Sequence, residues 1–393
     1  MLRIFKNYDG RVTEITNMLQ SVNLSRSITE VSRKLECTML YPIEDTYQPH
    51  FQIGASTKIW VTLDNKEIFR GIVIDRSINS NDTLSFTAFD YGWYLNKNKV
   101  TYNFSNTTAD RAVRQILKEI GIQANKIVES NIKLRWLIAQ KTVYDAIMEL
   151  YTQVSKQTKK KYFICMSGTK VNVVELGSKL TNHTINKDTE PNLINFEYKD
   201  SMQNVINRVK IYDDKNNYKS LVEDKKSITR YGIIQDNIVK EKDKDSTVIA
   251  RNMLKGLEKE VTCTVLGNWD YRTGYAAKVN IRDIESLRNV LMYIIEDSHT
   301  WDMSTGTYTT DLTLSYYKKM DTKDSDDTVK FDTKIKKESI RADKKKKALE
   351  KKKIREAKRK ERQRKSLEKK KLKQYKSKNK IKIKKKKVKK NEK

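Results

Sequence analysis

Few side chains in this sequence are of the kinds that do chemistry, and those few are scattered. The three histidines, His50, His183 and His299, fall in separate segments. None lies three to five residues from another His or from a Cys, so the spacing of a zinc site is missing. Cys37, Cys165 and Cys263 stand about a hundred residues apart with no CxxC pair. They read as buried or idle thiols in a reducing compartment. No GxGxxG, Walker A, GxSxG or HExxH pattern occurs. Asp and Glu are plentiful and a pair could converge in three dimensions, yet no catalytic constellation is visible. His299, within "EDSHTW", reads as a strand-end polar residue. The aspartates of "DTKDSDDTVKFDTK" lack the central Gly and terminal Glu of an EF-hand loop. The expectation is therefore a chain with no catalytic residue, no cofactor and no metal ligand.

What the sequence has instead is lysine. Of 393 residues 81 are Lys or Arg and 50 are Asp or Glu, a formal net charge of +31. From Lys334 to Lys393 there are 33 basic residues against 7 acidic, a net of +26. The preceding 333 residues thus carry about +5 and need no basic surface. The candidate polyanion or partner tether is Lys344, Lys345, Lys346, Lys347, Lys351, Lys352, Lys353, Arg355, Lys358, Arg359, Lys360, Arg362, Arg364, Lys365, Lys384, Lys385, Lys386 and Lys387. Such a run neutralises phosphates or carboxylates without reading sequence. Aromatic residues for base stacking are almost absent from it, Tyr375 excepted. Its apolar residues keep no heptad register, so it reads as disordered chain or a solvated helix, and a purely solubilising extension is the plain alternative.

The rest of the chain is patterned for a folded body. "LRIFKNY" and "RVTEIT" flank Asp9-Gly10, a type I′ hairpin signal. "SRKLECTMLY" alternates through Leu35, Cys37 and Met39. "TKIWVTL", "EIFRGIVIDRSI" and "TLSFTAFDYGWYL" follow as strands. Near residue 100 the period changes. "NTTADRAVRQILKEIGI" is helical, with Thr107 and Asp110 at its cap and Gly121 at its end. "KTVYDAIMELYTQVSKQT" is a second helix capped by Thr142 and Asp145, and "KKYFICMSG" with "KVNVVELG" makes a hairpin. Beyond Pro191 the strands resume with "MQNVINRVKIYDD". A helix follows in "DSTVIARNMLKGLEKE", capped by Ser246, and then the strands "TCTVLG", "YAAKVNI", "NVLMYIIEDSHTW" and "GTYTTDLTLSYY". No apolar h-region opens the sequence and no stretch of 18 apolar residues occurs, so a chain soluble where it is made, without a membrane span, is expected. The class is mainly β with an α/β insertion.

Read in order, the segments resemble the baseplate hub proteins of contractile phage tails, of the PBSX-prophage and late-control-D-like type also found in tail-like bacteriocins. The resemblance is carried by "KIWVTLDNKEIFRGIVIDRS", "LSFTAFDYGWYLNKNKVTYNFSNTTADRAVRQIL", "KTVYDAIMELYTQVSKQTKKKYFI", "SMQNVINRVKIY", "YGIIQ" and "YRTGYAAKV", with "YIIEDSHTW" and "LTLSY" closing, and covers nearly all of residues 1–320. It implies two tail-tube-like β-barrel domains and a small α/β domain, followed by the polybasic C-terminal extension. The implied boundaries are 1–99 for the first barrel, 100–190 for the α/β domain, and 191–234 with 261–320 for a discontinuous second barrel. A helical insertion would fill 235–260, an acidic linker 321–333 and the Lys-rich tail 334–393.

The resemblance also implies a structural role in the virion baseplate after synthesis in the host cytoplasm. Three copies would form a ring joining a hexameric tail tube to a trimeric spike, with tape-measure and other baseplate proteins as further partners. The basic tail departs from that pattern and would contact DNA or an anionic protein non-specifically. The competing reading is a nucleic-acid-binding protein that uses the tail on a β-rich scaffold. The near-neutral body speaks against it, since such proteins spread basic residues over their folded surface. A cell-wall hydrolase finds no matching residues here.

Overall fold

Alternating burial begins at the second residue. In β1 (Leu2–Tyr8) Leu2, Ile4 and Lys6 point inward, and Asp9 and Gly10, both at positive φ (47° and 82°), turn the chain into β2 (Arg11–Glu14). That is the I′ geometry the Asp-Gly pair predicts. The strands β3 (Leu19–Ser27), β4 (Lys34–Leu40), β5 (Lys58–Leu63), β6 (Lys66–Asn79) and β7 (Thr83–Asp90) complete the first stretch. Leu35, Cys37 and Met39 of β4 all face its core, as their spacing predicts. The structure, a computed structural model, describes residues 1–42, 47, 52–188, 190–240 and 245–323. His50 and the eighteen basic candidates of the C-terminal run lie outside them.

After α1 (Trp93–Lys97) an α/β module follows. β8 (Lys99–Thr108), α2 (Ala109–Glu119), β9 (Ala124–Ile127), β10 (Lys133–Thr142), α3 (Val143–Thr158), β11 (Tyr162–Ser167) and β12 (Lys170–Glu175) surround one apolar cluster. Thr142 caps α3 as predicted, accepting from Asp145 N at 3.0 Å. The cap of α2 differs. Thr108, not Thr107, is the capping position, and Asp110 instead accepts from Ser130 N at 3.3 Å.

The chain then returns through β13 (Ile185–Asn186) and β14 (Leu193–Ser201). Next comes β15 (Arg208–Tyr212), β16 (Tyr218–Glu223), α4 (Lys225–Tyr231), β17 (Gln235–Val239) and α5 (Ser246–Met253). These form a separate three-stranded sheet, β16-β15-β17, with its own small core of Val209, Ile211 and Ala250. Strands β15 and β16, expected within the second barrel, are thus part of an insert that starts earlier than the sequence boundary. Asn207 is fully buried and holds the insert together: its Nδ2 donates to Gly232 O (2.7 Å) and its Oδ1 accepts from Ile234 N (2.8 Å). The cap of α5 is Asp245, whose Oδ1 accepts from Thr247 N and Val248 N, not Ser246.

Finally β18 (Glu258–Leu266), β19 (Ala276–Asn280), β20 (Val290–Asp302) and β21 (Thr307–Ser315) close the fold. One 13-stranded sheet runs β14-β18-β21-β20-β3-β4-β7-β6-β5-β1-β2, with β19 and β13 attached beside β20. It covers two cores. Val22, Leu24, Leu35, Ile59 and Phe86 belong to one, and Val261, Val279, Met292, Ile294 and Leu314 to the other.

The joint is β20. Its first residues pair with β19 and its later ones with β3, while β21 flanks it on the other side. Between Ile294 and Glu296 the register against β21 slips by one residue, a β-bulge. The extra residue resets the alternation, so Met292 and Ile294 before it and Asp297, His299 and Trp301 after it are all buried.

The α/β module docks on this joint through β11. Phe163 packs with Ile28, Leu176 and Ile295, against Gly274 at φ +91°. A Cβ at 274 would overlap the Phe163 ring and is disfavoured at that φ. Gly274→Ala is expected to destabilise the protein by about 2 kcal/mol or more through overpacking and backbone strain. A urea unfolding midpoint unchanged from wild type would show that this contact is not formed.

Candidate functional site

The inward face of the bulged joint carries charge where a core would ordinarily be apolar. Arg33, in the turn before β4, sends both terminal nitrogens to Asp297: Nη1 to Oδ2 at 2.5 Å and Nη2 to Oδ1 at 2.9 Å. The Asp297 side chain is fully buried and that of Arg33 is 9% exposed, so this pair is sealed from water. Thr273 N adds a third donor to Asp297 Oδ1 at 2.6 Å. Burial alone would raise the Asp297 pKa, but the charge and hydrogen bonds of Arg33, with His299, hold it well below the usual carboxylate range. The Arg33 guanidinium also lies 5.1 Å from the Trp269 ring centre.

His299 comes next. Nε2 lies 2.9 Å from Tyr271 O and 3.3 Å from Asp297 Oδ2, both acceptors, so it carries the proton. Nδ1, with its single lone pair, accepts from Tyr308 Oη (2.8 Å), and Thr310 Oγ1 lies 3.1 Å from it. Every polar atom of the ring has a partner while it is neutral. Burial pushes its pKa down, opposed in part by Asp297. Arg26 of β3 extends the network: its Nη2 donates to Ile164 O of the α/β module, and its own carbonyl accepts from Thr273 Oγ1 at 3.0 Å. Asp90 accepts from Arg33 N (3.0 Å) and Gly92 N (2.9 Å), and burial raises its pKa against the nearby Arg26.

An Asp, a His and a Thr hydroxyl in a line invite comparison with a hydrolase triad. Asp297, His299 and Thr310 are each at most 2% exposed, so no substrate atom can reach the hydroxyl. The arrangement can bind three parts of the chain together, and it has no open side at which to react. Cys263 is also buried, with its thiol pushed up to about 12, unlike an activated thiolate. His183 is far simpler, with Nδ1 3.0 Å from Asn268 Nδ2 at the surface. Among the described residues no group of three His, Cys, Asp or Glu side chains could hold a metal ion, and no helix is long and apolar enough to cross a membrane.

The outward face of the same strands is polar. Ser25, Ser27, Asn195, Glu197, Thr262, Thr264, Glu296, Ser298, Asp311 and Thr313 line a shallow groove of about 690 Å³ across β14, β18, β21, β20 and β3. Hydroxyls and amides tie the strands laterally. Asn23 Nδ2 donates to Ser298 Oγ (2.7 Å) and Thr300 Oγ1 (2.9 Å), and Ser27 Oγ donates to Glu296 (3.0 Å).

Sequence pattern alone does not reveal the buried network, because "EDSHTW" carries no sign of which parity the bulge before it sets. Asp321, expected to open a solvated linker, instead accepts from Tyr144 Oη at 2.8 Å, and Lys323 N donates to Thr152 Oγ1 at 3.1 Å.

This fold, a two-core sheet with an α/β module docked on its joint, has counterparts among solved structures. The 43 kDa tail protein of prophage MuSo2 from Shewanella oneidensis superposes on this chain with a TM-score of 0.59 at 14% identity, covering 79% of this chain and 98% of that one. The family follows from the sequence match: the YqbQ-like model spans residues 22–315, and the chain belongs to that family. Two relatives come from Bacillus subtilis (strain 168). YqbQ is 25% identical over 274 residues, 67% of this chain and 82% of the relative. The XkdQ protein of the phage-like element PBSX is 26% identical over 239 residues, 60% of this chain and 71% of the relative.

Two outcomes test the network. Asp297→Ala strands the Arg33 charge in the interior and is expected to cost about 3–5 kcal/mol, whereas replacing both partners with apolar residues of similar volume should recover much of it. Denaturant midpoints of the single and double variants distinguish a buried pair from a solvated one. For His299 the folded pKa lies below its ordinary 6.5, so folding favours the neutral ring. That stabilisation is complete above pH 6.5 and is lost as pH falls toward the folded pKa. Stability of the wild type should therefore decline from pH 7 to 5 more steeply than that of His299→Gln, and parallel curves would refute the assignment.

Proposed function

We propose that this protein is the structural hub of a contractile phage tail, and that three copies form a ring adapting a hexameric tail tube to a trimeric spike. The observation that carries this reading is the sheet itself: two halves, each with its own core, fused through β20. A threefold ring meets a sixfold tube face only if each subunit offers two similar surfaces, and a doubled sheet unit supplies them. Likeness to a prophage tail protein and to a PBSX-encoded relative supports the setting.

In this reading 1–99 is one tube-like barrel. The second is built from β13, β14 and β18 to β21, while the α/β module and the β15–β17 insert are attachments. The hydroxyl-rich outward groove is then the solvent-facing lining of the ring. The lysines from Lys344 to Lys387 act as an electrostatic tether to an anionic component of the tail, DNA or protein, and the virion baseplate is the site of action. Assembly explains why the buried polar groups at the joint bind the chain to itself. The solution mass of the full chain, by light scattering at moderate salt, is expected to be that of a trimer and to stay trimeric when residues 334–393 are removed. A monomer in both forms at micromolar concentration would count against the ring.

A further inference from the structure

The two halves of the large sheet repeat one another in topology and in register. The order β3-β4-β7-β6-β5 of the first recurs as β14-β18-β21-β20-β19 in the second, with every neighbouring pair antiparallel. Cys37 of β4 stands opposite Val22 and Phe86, and Cys263 of β18 stands opposite Phe196 and Leu312. The irregularities recur in place. The pairing of β3 with β4 slips between Leu19 and Ser21, and that of β14 with β18 between Leu193 and Asn195. β6 slips against β7 between Val73 and Asp75, as β20 does against β21 between Ile294 and Glu296. Bulges set register, so matched bulges align the halves residue by residue. Arg26 then corresponds to Asp200, and Asp297 corresponds to Arg76.

Inside the chain the halves meet along one edge. The later part of β20, beyond the residues paired with β19, takes β3 as its neighbour and sets Asp297 opposite Arg26. The corresponding strands at the two outer ends lack such a neighbour. Among the described residues β14 pairs with β18 alone. β5 pairs with β6 as far as Ile72, and beyond it no described strand takes that edge of β6. Asp75 to Asn79 are all exposed there. β14 runs for 9 residues with no proline to blunt it, so its free edge is a template for another strand.

We propose that β14 of one copy pairs antiparallel with the free part of β6 in the next copy, repeating the junction between β3 and β20. Transferred residue by residue, that junction sets Arg76 opposite Asp200, Ser77 opposite Lys199 and Ile78 opposite Tyr198. The acid and base of the internal junction exchange places and remain complementary. Neither Arg76 nor Asp200 has an ion-pair partner among the described residues, and Arg76 Nη1 donates to Ile53 O at 2.7 Å. Ile78, 39% exposed in the single chain, gains a ring as its neighbour. The contact joins unlike surfaces, so repeating it gives a ring or a filament according to whether the rotation closes. The inference rests on the hub reading for closure at three copies, and it names the contact that reading needs.

The test is oxidative cross-linking of the full chain carrying Ser77→Cys or Lys199→Cys. Directly opposed residues hold their β-carbons about 4.5–5.5 Å apart, within a small adjustment of disulfide geometry. Co-expressed single variants should give a covalent dimer on a non-reducing gel, and the double variant a covalent trimer. Each single variant alone should give neither, and a dimer from Lys199→Cys alone would mean that β14 pairs with itself and overturn the proposal. Ser77→Cys with Asp200→Cys, one residue out of register, should cross-link roughly tenfold less, and equal yields would overturn the register. Arg76→Asp and Asp200→Arg should each weaken association on the order of tenfold, and the double exchange should restore it. Failure of the double exchange to restore it would remove this pair from the contact. A chain that is trimeric by light scattering but does not cross-link overturns this contact and keeps the hub reading. A chain that stays monomeric and uncross-linked overturns both.

Discussion

The buried contact between Arg33 and Asp297 constrains everything around it. Taking two full charges out of water costs several kcal/mol per ion, and the mutual attraction repays this only if geometry and hydrogen bonding are complete. Here they are. Arg33 meets Asp297 with two nitrogens, Thr273 N supplies another donor, and His299 closes the remaining side. The partners come from regions 264 residues apart in the chain, so neither half of the sheet can satisfy the pair alone. Both halves and the segment before β19 must be in place before the charges are paid for, which makes the joint cooperative. The α/β module enters the same account through Arg26, whose guanidinium donates to Ile164 O.

The bulge in β20 makes this possible. A regular strand crossing from one core to the other would keep one parity, presenting Met292 and Ile294 inward and then Glu296, Ser298 and Thr300. The inserted residue brings Asp297, His299 and Trp301 inward instead, and Trp301 joins the first core beside Val22 and Phe86. It also turns the hydroxyl and carboxylate residues outward, where they tie β20 to β3 and β21 in the polar groove. One local irregularity thereby sets both faces of the central sheet. That is the sense in which bulges act as designed features that re-aim side chains.

Much of this fold is legible in the sequence wherever structure is set by near neighbours. The Asp9-Gly10 turn, the inward row Leu35, Cys37 and Met39, and the Thr142 cap of α3 depend on a few adjacent residues, and the pattern names them. What the pattern conceals is set by distant partners. His299 looks like a strand-end residue because its partners, Tyr271, Tyr308 and Asp297, are assembled by pairing and a bulge that alternation does not encode. Strands β15 and β16 alternate like their barrel-bound neighbours, and only the pairing of Arg208 with Glu223 and Gln235 separates them into another sheet. The α5 cap slipped by one residue, since Asp245 and Ser246 are both good capping types. The basic run at the C-terminus is legible by composition alone and lies outside the described residues.

The titratable groups of the body divide by burial. Where a titratable group is buried, as at Asp297, His299 and Asp90, it is saturated by partners from the same chain and stabilises the joint. Some exposed lysines of the body are answered by a neighbouring carboxylate, as at Lys187 with Asp283 and Lys219 with Asp213. Surface pairs of this sort contribute little stability. Against a body of about +5, the run from Lys334 to Lys393 with its net of +26 stands apart. An interior whose charges are answered only by partners from both ends of the chain permits one arrangement of its two cores.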